Sequence, residues 1–354
     1  MFFIRLCLQP ERFFLVTTWL LLITWGSLFL PEPAWAGETF HRVRAKGVLR
    51  CGVSEGIPGF SVRDAKGRWT GIDADFCRAL AAAIFRDPEK VVFVPLKTSE
   101  RFPTLRSGKI DILLRNTTWT MSREAGLGIR FAGVAYYDGQ GFMVRKNNKI
   151  KRISDLKGAT ICVQKGTTHE DNLVDYFQMK KWTYRPLVVE SLMQNRNNLT
   201  TGRCQAFTSD RSELAAVQSQ LPGGAKDYVI LSGQISKEPL SPAVKTGDNE
   251  WFTLVEWVLF ALTEAEERGI TQENVRSLAA TRGNPGRDRF LGTTGNLGKL
   301  LGVSSDWTVM AIASGGNYGE IFERNLGRKS VLNLDRGPNR LWTKGGLMYA
   351  PPFR

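Results

Sequence analysis

Three clusters of polar side chains in this sequence each follow a short apolar run that predicts a buried β-strand. The clusters are Arg115–Thr120 with Arg123 just beyond, Gln164–Thr168, and Ser209–Asp210. In open α/β sheets, ligands collect at the carboxyl ends of the strands, so binding chemistry is expected at these positions. Brought together, the clusters would present a guanidinium, hydroxyls and helix-start N–H groups beside a carboxylate. That set is complementary to a zwitterion.

The charged members of the set have defined chemistry. Arg123 can hold a carboxylate in a bidentate fork, and the dipole of a helix that starts near Gly166 would help. Asp210 can accept hydrogen bonds from an ammonium group. Taken alone, each residue has a plainer interpretation, since a loop arginine is commonly a solvated charge and a Gly-Thr-Thr sequence is commonly a helix cap. The joint placement at three strand ends is what favours the binding hypothesis.

Aromatic side chains that could cover a bound ligand are also present. The candidates are Phe60, Trp69 and Trp119. Core packing is the commoner use of any one of them, because large aromatic side chains bury extensive apolar area. They therefore support the binding hypothesis only together with the polar clusters.

Two similar series of elements would position the clusters. The first predicted series comprises a strand at Gly47–Val53, a helix at Phe76–Phe85 with Asp73 or Asp75 placed to cap it, a strand at Val91–Pro95, a helix at Glu100–Ser107 and a strand at Ile110–Leu114. The second comprises strands at Ala159–Val163, Leu187–Glu190 and Cys204–Thr208, with helices beginning near Thr168 and at Leu192. Alternating strands and helices predict mostly parallel sheets with right-handed crossovers. Two α/β units in series imply two lobes with a cleft between them.

The first 36 residues have the pattern of a secretory signal peptide. Arg5 and Arg12 precede an uncharged apolar run at Phe13–Leu30, and Ala34–Ala36 supplies the small-x-small triplet. This predicts export to the periplasm with cleavage after Ala36. The alternative is an uncleaved anchor helix, since the apolar run is just long enough to span a bilayer.

Composition narrows the possible chemistry. The net charge is +14, but no nucleic-acid-binding motif accompanies it, and export argues against a nucleic-acid partner. Only His41 and His169 are present and no Cys-x-x-Cys occurs, so neither a metal nor another cofactor is expected. The segment Gly292–Lys299 has the wrong spacing for a phosphate-binding P-loop.

Four cysteines follow the apolar run: Cys51, Cys77, Cys162 and Cys204. An even count in an oxidising compartment suggests two disulfides. Three pairings are possible. We favour Cys51–Cys77 with Cys162–Cys204, because each bridge would then join residues within one half of the chain.

Several longer stretches resemble the periplasmic solute-binding proteins of polar amino-acid ABC transporters, and in particular their general L-amino-acid-binding branch. The matching stretches are Gly71–Arg78, Asp111–Thr120, Tyr136–Lys146, Ile161–Thr168, Ile235–Leu240, Asn317–Asn325 and Lys344–Pro352. They lie in both predicted lobes and in the tail. The motif Gly71-x-Asp-x-Asp alone would be weak evidence, but the set together identifies the family.

The resemblance implies roles for individual residues of the first two clusters. Arg123 stands where the family's α-carboxylate-binding arginine lies. Asn116 and Thr118 match first-lobe positions that hydrogen-bond the α-carboxylate or the ammonium. Thr167 and Thr168 match the second-lobe loop that completes the carboxylate site.

Four further positions follow from the same resemblance. Asp210 matches the acid that receives the α-ammonium, and Phe60 lies near the family's aromatic cover for the ligand side chain. Arg115 stands where many relatives of narrow specificity have a small residue. His169 replaces a common amide, which leaves its part in the side-chain pocket open.

The family's fold is the type II periplasmic binding fold, with two α/β lobes and two crossover strands. On this sequence, lobe one would comprise residues 37–142 and 246–354, and lobe two residues 143–245. The expected function is binding of L-amino acids with broad specificity and their delivery to a membrane permease that a separate ATPase drives. The resemblance implies a protein that is not an enzyme, and it implies no cofactor.

Other classes of protein remain as alternatives. Ser154-x-x-Lys157 and Lys245–Gly247 match two motifs of penicillin-interacting serine enzymes, but Ser209-Asp210 is followed by Arg211 where the third motif needs Asn. A lyase on the same fold is a second alternative, since a fold does not determine a function. The sensing domain of a receptor is a third, although the sequence carries no second membrane segment.

Overall fold

A computed structural model describes residues 37–354, so the predicted signal peptide and its cleavage site lie outside the described residues. The strands are β1 (Leu49–Val53), β2 (Val62–Arg63), β3 (Trp69–Thr70), β4 (Val91–Pro95), β5 (Ile112–Leu113), β6 (Ile129–Phe131), β7 (Tyr136–Asp138), β8 (Gln140–Arg145), β9 (Thr160–Gln164), β10 (Arg185–Val189), β11 (Ala206–Asp210), β12 (Tyr228–Ile230), β13 (Glu238–Leu240) and β14 (Ala243–Lys245). The helices are α1 (Glu38–Lys46), α2 (Ile72–Phe85), α3 (Arg101–Arg106), α4 (Met121–Gly126), α5 (Thr168–Met179), α6 (Leu192–Thr200), α7 (Arg211–Gln220), α8 (Asn249–Glu267), α9 (Val275–Ala280), α10 (Pro285–Phe290), α11 (Leu297–Leu300), α12 (Trp307–Gly315) and α13 (Tyr318–Asn325).

The first sheet has the strand order β4-β1-β5-β14-β6 and belongs to what we call lobe one. Strands β4, β1 and β5 run parallel, whereas β14 is antiparallel to both β5 and β6. The strand predicted at Ile110–Leu114 is shorter in the structure. The Asp111 carboxylate, in place of a backbone carbonyl, accepts the Arg50 N–H at 2.8 Å, and the regular ladder therefore begins only at Ile112.

The second sheet has the order β10-β9-β11-β8-β12 and belongs to lobe two. Strands β10, β9 and β11 are parallel, and β8 is antiparallel to β11 and β12. The strand predicted at Cys204–Thr208 instead covers Ala206–Asp210, because Cys204 is held outside it by a disulfide. Asp210 is therefore the last residue of the strand and pairs with Gln140 of β8.

Two short strands carry the chain between the sheets. Strand β7 leads into β8 of the second sheet, β13 leads into β14 of the first, and the two pair antiparallel. This arrangement of two α/β lobes joined by two crossover strands confirms the predicted fold class. A pair of crossover segments is also the geometry on which hinge closure between lobes depends.

Helix α2 is buried along most of its length and packs on α12 and α8 in the lobe-one core. Gly71 precedes it with φ 119°, and a Cβ there would lie 2.0 Å from the Phe60 carbonyl oxygen, so only glycine fits. The expected cap by Asp73 or Asp75 is wrong, since neither side chain caps the helix. Asp75 instead accepts a hydrogen bond from Arg324 Nη2 at 2.7 Å.

The C-terminal segment packs on lobe one. Phe353 lies edge-on to both Trp257 and Phe290, with ring centroids 4.9 Å apart in each pair. None of the helices in residues 37–354 is both long enough and apolar enough to cross a membrane.

Two disulfides join neighbouring cysteines, and they are the pairs that the sequence favoured. Cys51 of β1 is bonded to Cys77 of α2, and Cys162 of β9 to Cys204, with Cα atoms 6.4 and 5.8 Å apart. Each bridge lies within one lobe. The crossover strands are therefore the only covalent connections between the two sheets in the described part of the chain.

Candidate ligand-binding cleft

A cleft between the lobes collects all of the predicted binding residues except Phe60. Its lining residues are Ile57, Thr98, Arg101, Arg115, Asn116, Thr118 and Arg123 from lobe one, and Gln164, Thr167, Thr168, His169, Asp210 and Glu213 from lobe two. Hydrogen bonds cross it, including Gln164 Nε2 to Thr98 Oγ1 at 2.8 Å. The lobes are thus in contact, in a closed arrangement.

Arg123 lies on the short helix α4, which Thr120 caps by accepting the Arg123 N–H. Its Nη1 donates to the Thr118 carbonyl at 2.8 Å, and its guanidinium stacks over Phe102 at 5.5 Å. Burial lowers the pKa of Arg123, against the opposing effect of Glu238 and other acids. Among the described residues no carboxylate forms an ion pair with this guanidinium, so its remaining donors are available to an anion.

Asn116 and Thr118 lie on the turn between β5 and α4. Asn116 adopts a left-handed backbone, φ 41°, and both polar atoms of its side chain are buried without a described partner. Unpaired buried amides are costly, which makes this side chain a candidate ligand contact. The Thr118 hydroxyl donates to Glu238 Oε2 at 2.6 Å and lies 3.4 Å from the Thr168 hydroxyl across the cleft.

Thr167 and Thr168 stand at the start of α5. Thr167 occupies the N-cap position without a side-chain cap bond, and its hydroxyl donates to the Gln164 carbonyl at 2.7 Å. The Thr168 hydroxyl donates to Glu238 Oε2 at 2.9 Å. The uncapped backbone N–H groups at this helix start form a site that favours negative charge.

Asp210 lies at the end of β11, 3.0 Å through Oδ1 from Nε2 of His169. Burial raises the pKa of Asp210 to about 6, although the His169 interaction lowers it. Burial alone would lower the pKa of His169, but Asp210, Glu238 and Glu213 outweigh it, and the net direction is upward. The imidazole of His169 thus holds the Asp210 carboxylate in place, and His169 also lines the cleft.

Phe60 and Arg115 occupy positions different from those of the other predicted residues. Phe60 is 1% exposed, packs edge-on against Tyr136 at 5.8 Å, and borders a neighbouring cavity. The apolar residue that lines the cleft in this region is Ile57. Arg115 lines both spaces, but its Nε and Nη2 donate to Leu96 O and Thr98 Oγ1, at 2.8 and 2.9 Å.

Three charged residues of this region were not predicted from the sequence: Arg101, Glu213 and Glu238. Glu238 receives hydrogen bonds from hydroxyls of both lobes and, through Oε1, from Asn172 Nδ2 at 2.7 Å. A signal for it existed, because it lies in the family-like stretch Ile235–Leu240. Arg101 and Glu213 are both buried, and their helices gave no pattern that separates them from surface charges.

One side-chain trio in the cleft has ligand atoms close enough to surround a metal ion. Atoms of His169, Asp210 and Glu238 lie within 4.8 Å of one another. Each already takes part in hydrogen bonds, and the nearby guanidiniums of Arg101 and Arg123 disfavour an added cation. The donor set thus fits an organic zwitterion better than a metal.

The fold and this cleft define a two-lobe solute-binding protein. A family model described as "Bacterial extracellular solute-binding proteins, family 3" matches residues 49–274, and the chain belongs to this family.

Named relatives extend over nearly the whole chain. It is 49% identical over 321 residues to the "General L-amino acid-binding periplasmic protein AapJ" of Rhizobium johnstonii, covering 90% of this chain and 94% of that protein. It is 47% identical over 319 residues to the "Glutamate/glutamine/aspartate/asparagine-binding protein BztA" of Rhodobacter capsulatus, covering 90% and 94%. A solved periplasmic binding protein of Brucella ovis with glutathione bound is 48% identical, with a TM-score of 0.87 over 90% of this chain and 100% of that one.

These relatives give no support to the serine-enzyme alternative, because they are solute-binding proteins and not enzymes. The structure places Ser154 in a short 3-10 helix at Ile153–Leu156, where Ser154 and Lys157 are both exposed. A nucleophile needs a partner base in a shielded site, and this pair is not placed in one.

Proposed function

We propose that this protein is the extracytoplasmic binding component of an ABC transporter and binds L-amino acids with broad specificity. The observation that carries the proposal is that Arg123 and Asp210, which have opposite charges, line the same cleft. Arg123 comes from lobe one and has no carboxylate partner among the described residues, while Asp210 comes from lobe two. An α-amino acid satisfies both charges at once and would hold the lobes together.

The zwitterion would use each side of the cleft. The α-carboxylate would accept from the Arg123 guanidinium, the Thr118 region and the N–H groups at Thr167 and Thr168. The α-ammonium would donate to Asp210. Asn116, whose buried amide has no described partner, would complete the set on the lobe-one side.

Broad specificity fits a cleft that recognises the part common to all amino acids. The relatives named above are described as binding general L-amino acids, or glutamate, glutamine, aspartate and asparagine. The Brucella ovis relative holds glutathione, whose γ-glutamyl end carries the same α-zwitterion. Because the anchoring charges would contact only the α-carboxylate and α-ammonium groups of the ligand, side chains of different sizes could be accepted.

Delivery of the ligand would depend on movement of the two lobes. Lobe one would comprise residues 37–142 and 246–354, lobe two residues 143–245, and closure would occur by a hinge at the crossover strands. The chain would reach the periplasm through a signal peptide cut after Ala36 and deliver its ligand to a membrane permease driven by a separate ATPase. Both partners follow from the family and not from a described interface.

A ligand screen tests the proposal. The exported protein is mixed with each common L-amino acid, with sugars and with short peptides, and its thermal unfolding is followed by calorimetry. A ligand at a hundredfold excess over its Kd stabilises the folded state by about 2.7 kcal/mol. Stabilisation by many L-amino acids supports the proposal. Stabilisation by one class of amino acid contradicts the broad specificity, and stabilisation by sugars alone overturns the proposal.

A further inference from the structure

Arg101 is the most deeply buried of the three cleft arginines. It is 3% exposed, its Nη2 donates across the cleft to the Gly166 carbonyl at 3.2 Å, and it stacks on Phe102 at 4.7 Å. Its Nε is buried with no partner among the described residues. Burial, followed by the charges of Arg123 and Arg115, lowers its pKa well below the ordinary value. A buried guanidinium with free donors is unfavourable until an acceptor, and best an anion, reaches it.

Glu213 of lobe two is a buried carboxylate, with a charge opposite to that of Arg101. It lies in the first turn of α7 and is 8% exposed. The Ser209 hydroxyl donates to its Oε2, whereas within residues 37–354 nothing donates to its Oε1. A carboxylate held this way offers one oxygen to a donor that enters the cleft.

Arg101 and Glu213 line the same cleft but form no ion pair in the described part of the chain. Other contacts hold them apart, since Gly166 and Phe102 fix the guanidinium and Ser209 fixes the carboxylate. Two buried opposite charges that do not neutralise each other stay available to a third group. The α-carboxylate and α-ammonium already have Arg123 and Asp210, so the third group is the ligand side chain.

We propose that Arg101 and Glu213 form a subsite for the ligand side chain that carries both a positive and a negative charge. In it, Arg101 binds acidic side chains and Glu213 binds cationic ones. This inference rests on the proposed function. An amide side chain, which both donates and accepts, would use both residues, and an aliphatic side chain neither. The subsite assigns the breadth of specificity to two identified residues, one on each lobe.

Placement on opposite lobes has a kinetic consequence. Arg101 belongs to α3 and Glu213 to α7, so the subsite is complete only when the cleft closes. The α-carboxylate and α-ammonium groups can bind first, and the ligand side chain contacts Arg101 and Glu213 only as the cleft closes. Differences between amino acids should therefore appear mainly in the dissociation rate, as is usual for related complexes.

Calorimetry with L-glutamate, L-lysine and L-leucine tests the subsite in the exported protein near neutral pH. The readout is the ratio of each charged ligand's Kd to that of leucine, because a general weakening of closure cancels in the ratio. In Arg101→Met the glutamate-to-leucine ratio should rise about 10- to 100-fold, the usual worth of a charge-assisted hydrogen bond. In Glu213→Gln the lysine-to-leucine ratio should rise similarly.

A selective loss of glutamate binding in the Arg101 variant and of lysine binding in the Glu213 variant would distinguish a side-chain subsite from a general role in closure. Arg101→Lys, which keeps a positive charge, should raise the glutamate ratio less than Arg101→Met, and Arg106→Met on the exposed face of the same helix should change neither ratio. Equal losses for all three ligands in Arg101→Met would overturn the proposal by making Arg101 a closure residue. So would unchanged ratios in both variants. Failure of the wild-type protein to bind any amino acid would instead overturn the proposed function.

Discussion

His169 Nε2 lies 3.0 Å from Asp210 Oδ1, and both side chains are nearly inaccessible to solvent. Burial and, to a smaller extent, the negative charges of Glu238 and Glu213 favour the protonated form of Asp210. The imidazole opposes them and stabilises the carboxylate. The protonation state of one pair therefore decides whether the cleft offers an anion to an ammonium group.

Amino-acid affinity should depend on pH through this pair. The pKa of Asp210 is raised to about 6, so below that pH the free protein holds a proton that an incoming α-ammonium must displace. Affinity should be nearly constant above pH 6 and fall by up to about tenfold per unit below it. Calorimetry in buffers of different ionisation enthalpy should detect the released proton at pH 5 and none at pH 8.

His169→Gln provides the matched variant, because it removes the cation that lowers the Asp210 pKa. The midpoint of the affinity profile should then move above pH 6. A profile that stays flat from pH 8 to pH 5 in the unmodified protein would contradict the role given to Asp210.

Arg123→Ala should weaken all amino acids alike, because they share the α-carboxylate. We expect a loss of about 100-fold or more in affinity, since a bidentate charge-assisted contact disappears. Isothermal calorimetry with several side-chain classes checks the claim, with the exposed Arg106→Ala as the control. Loss of one side-chain class with retention of the others would show that the arginine reads the side chain instead.

Asp73→Asn should stabilise the protein at alkaline pH. Burial raises the pKa of Asp73 to about 7 against the opposing charge of Arg115, and its Oδ2 has no partner among the described residues. In the unfolded chain this group ionises near pH 4, so its contribution to stability is complete below that pH and is lost as the pH rises to 7. At pH 8 the Asn variant should therefore gain roughly 2 kcal/mol in unfolding free energy, and at pH 4 almost nothing.

Urea unfolding at both pH values measures this effect. Asp75→Asn on the same helix is the control with the opposite sign, because Asp75 accepts hydrogen bonds from Arg324 and Asn325, each at 2.7 Å. Equal destabilisation by both substitutions at pH 8 would mean that Asp73 is favourably ionised in the folded protein.

Replacing Cys162 and Cys204 together with alanine should destabilise lobe two selectively. The bridge closes a loop of 42 residues, which corresponds to about 4 kcal/mol in the loop-entropy model. Hydrogen exchange should accelerate in β9 and β11 while β1 and β4 of lobe one retain their protection. Equal acceleration in both sheets would show that the lobes unfold as one unit.

The sequence could predict both sheets and most of the cleft for a common reason. Parallel strands separated by helices place their carboxyl ends at one edge of a sheet. The polar residues after Val163 and after Thr208 therefore had to lie near each other in lobe two, and those after Leu114 at the corresponding edge of lobe one. The strand limits were less predictable where a side chain replaces a backbone partner, as the Asp111 carboxylate does for the Arg50 N–H.

What the sequence could not predict depends on contacts between segments far apart in the chain, including those made by closure of one lobe on the other. The hydrogen bond from Thr118 to Glu238 joins residues 120 positions apart, and the contact of Arg101 with Gly166 joins residues 65 positions apart in different lobes. No local periodicity encodes such contacts. Burial of Phe60 beside Tyr136, rather than in the cleft, likewise follows from packing across the lobe-one core.

The order of the cysteines along the chain has a consequence for biogenesis. Each of the four cysteines in residues 37–354 is bonded to its nearest neighbour in sequence, Cys51 to Cys77 and Cys162 to Cys204. A polypeptide that is threaded through a translocation channel from its N-terminus exposes both members of the first pair before either member of the second. Oxidation in order of emergence therefore yields the native connectivity directly, and maturation should require an oxidase but no disulfide isomerase.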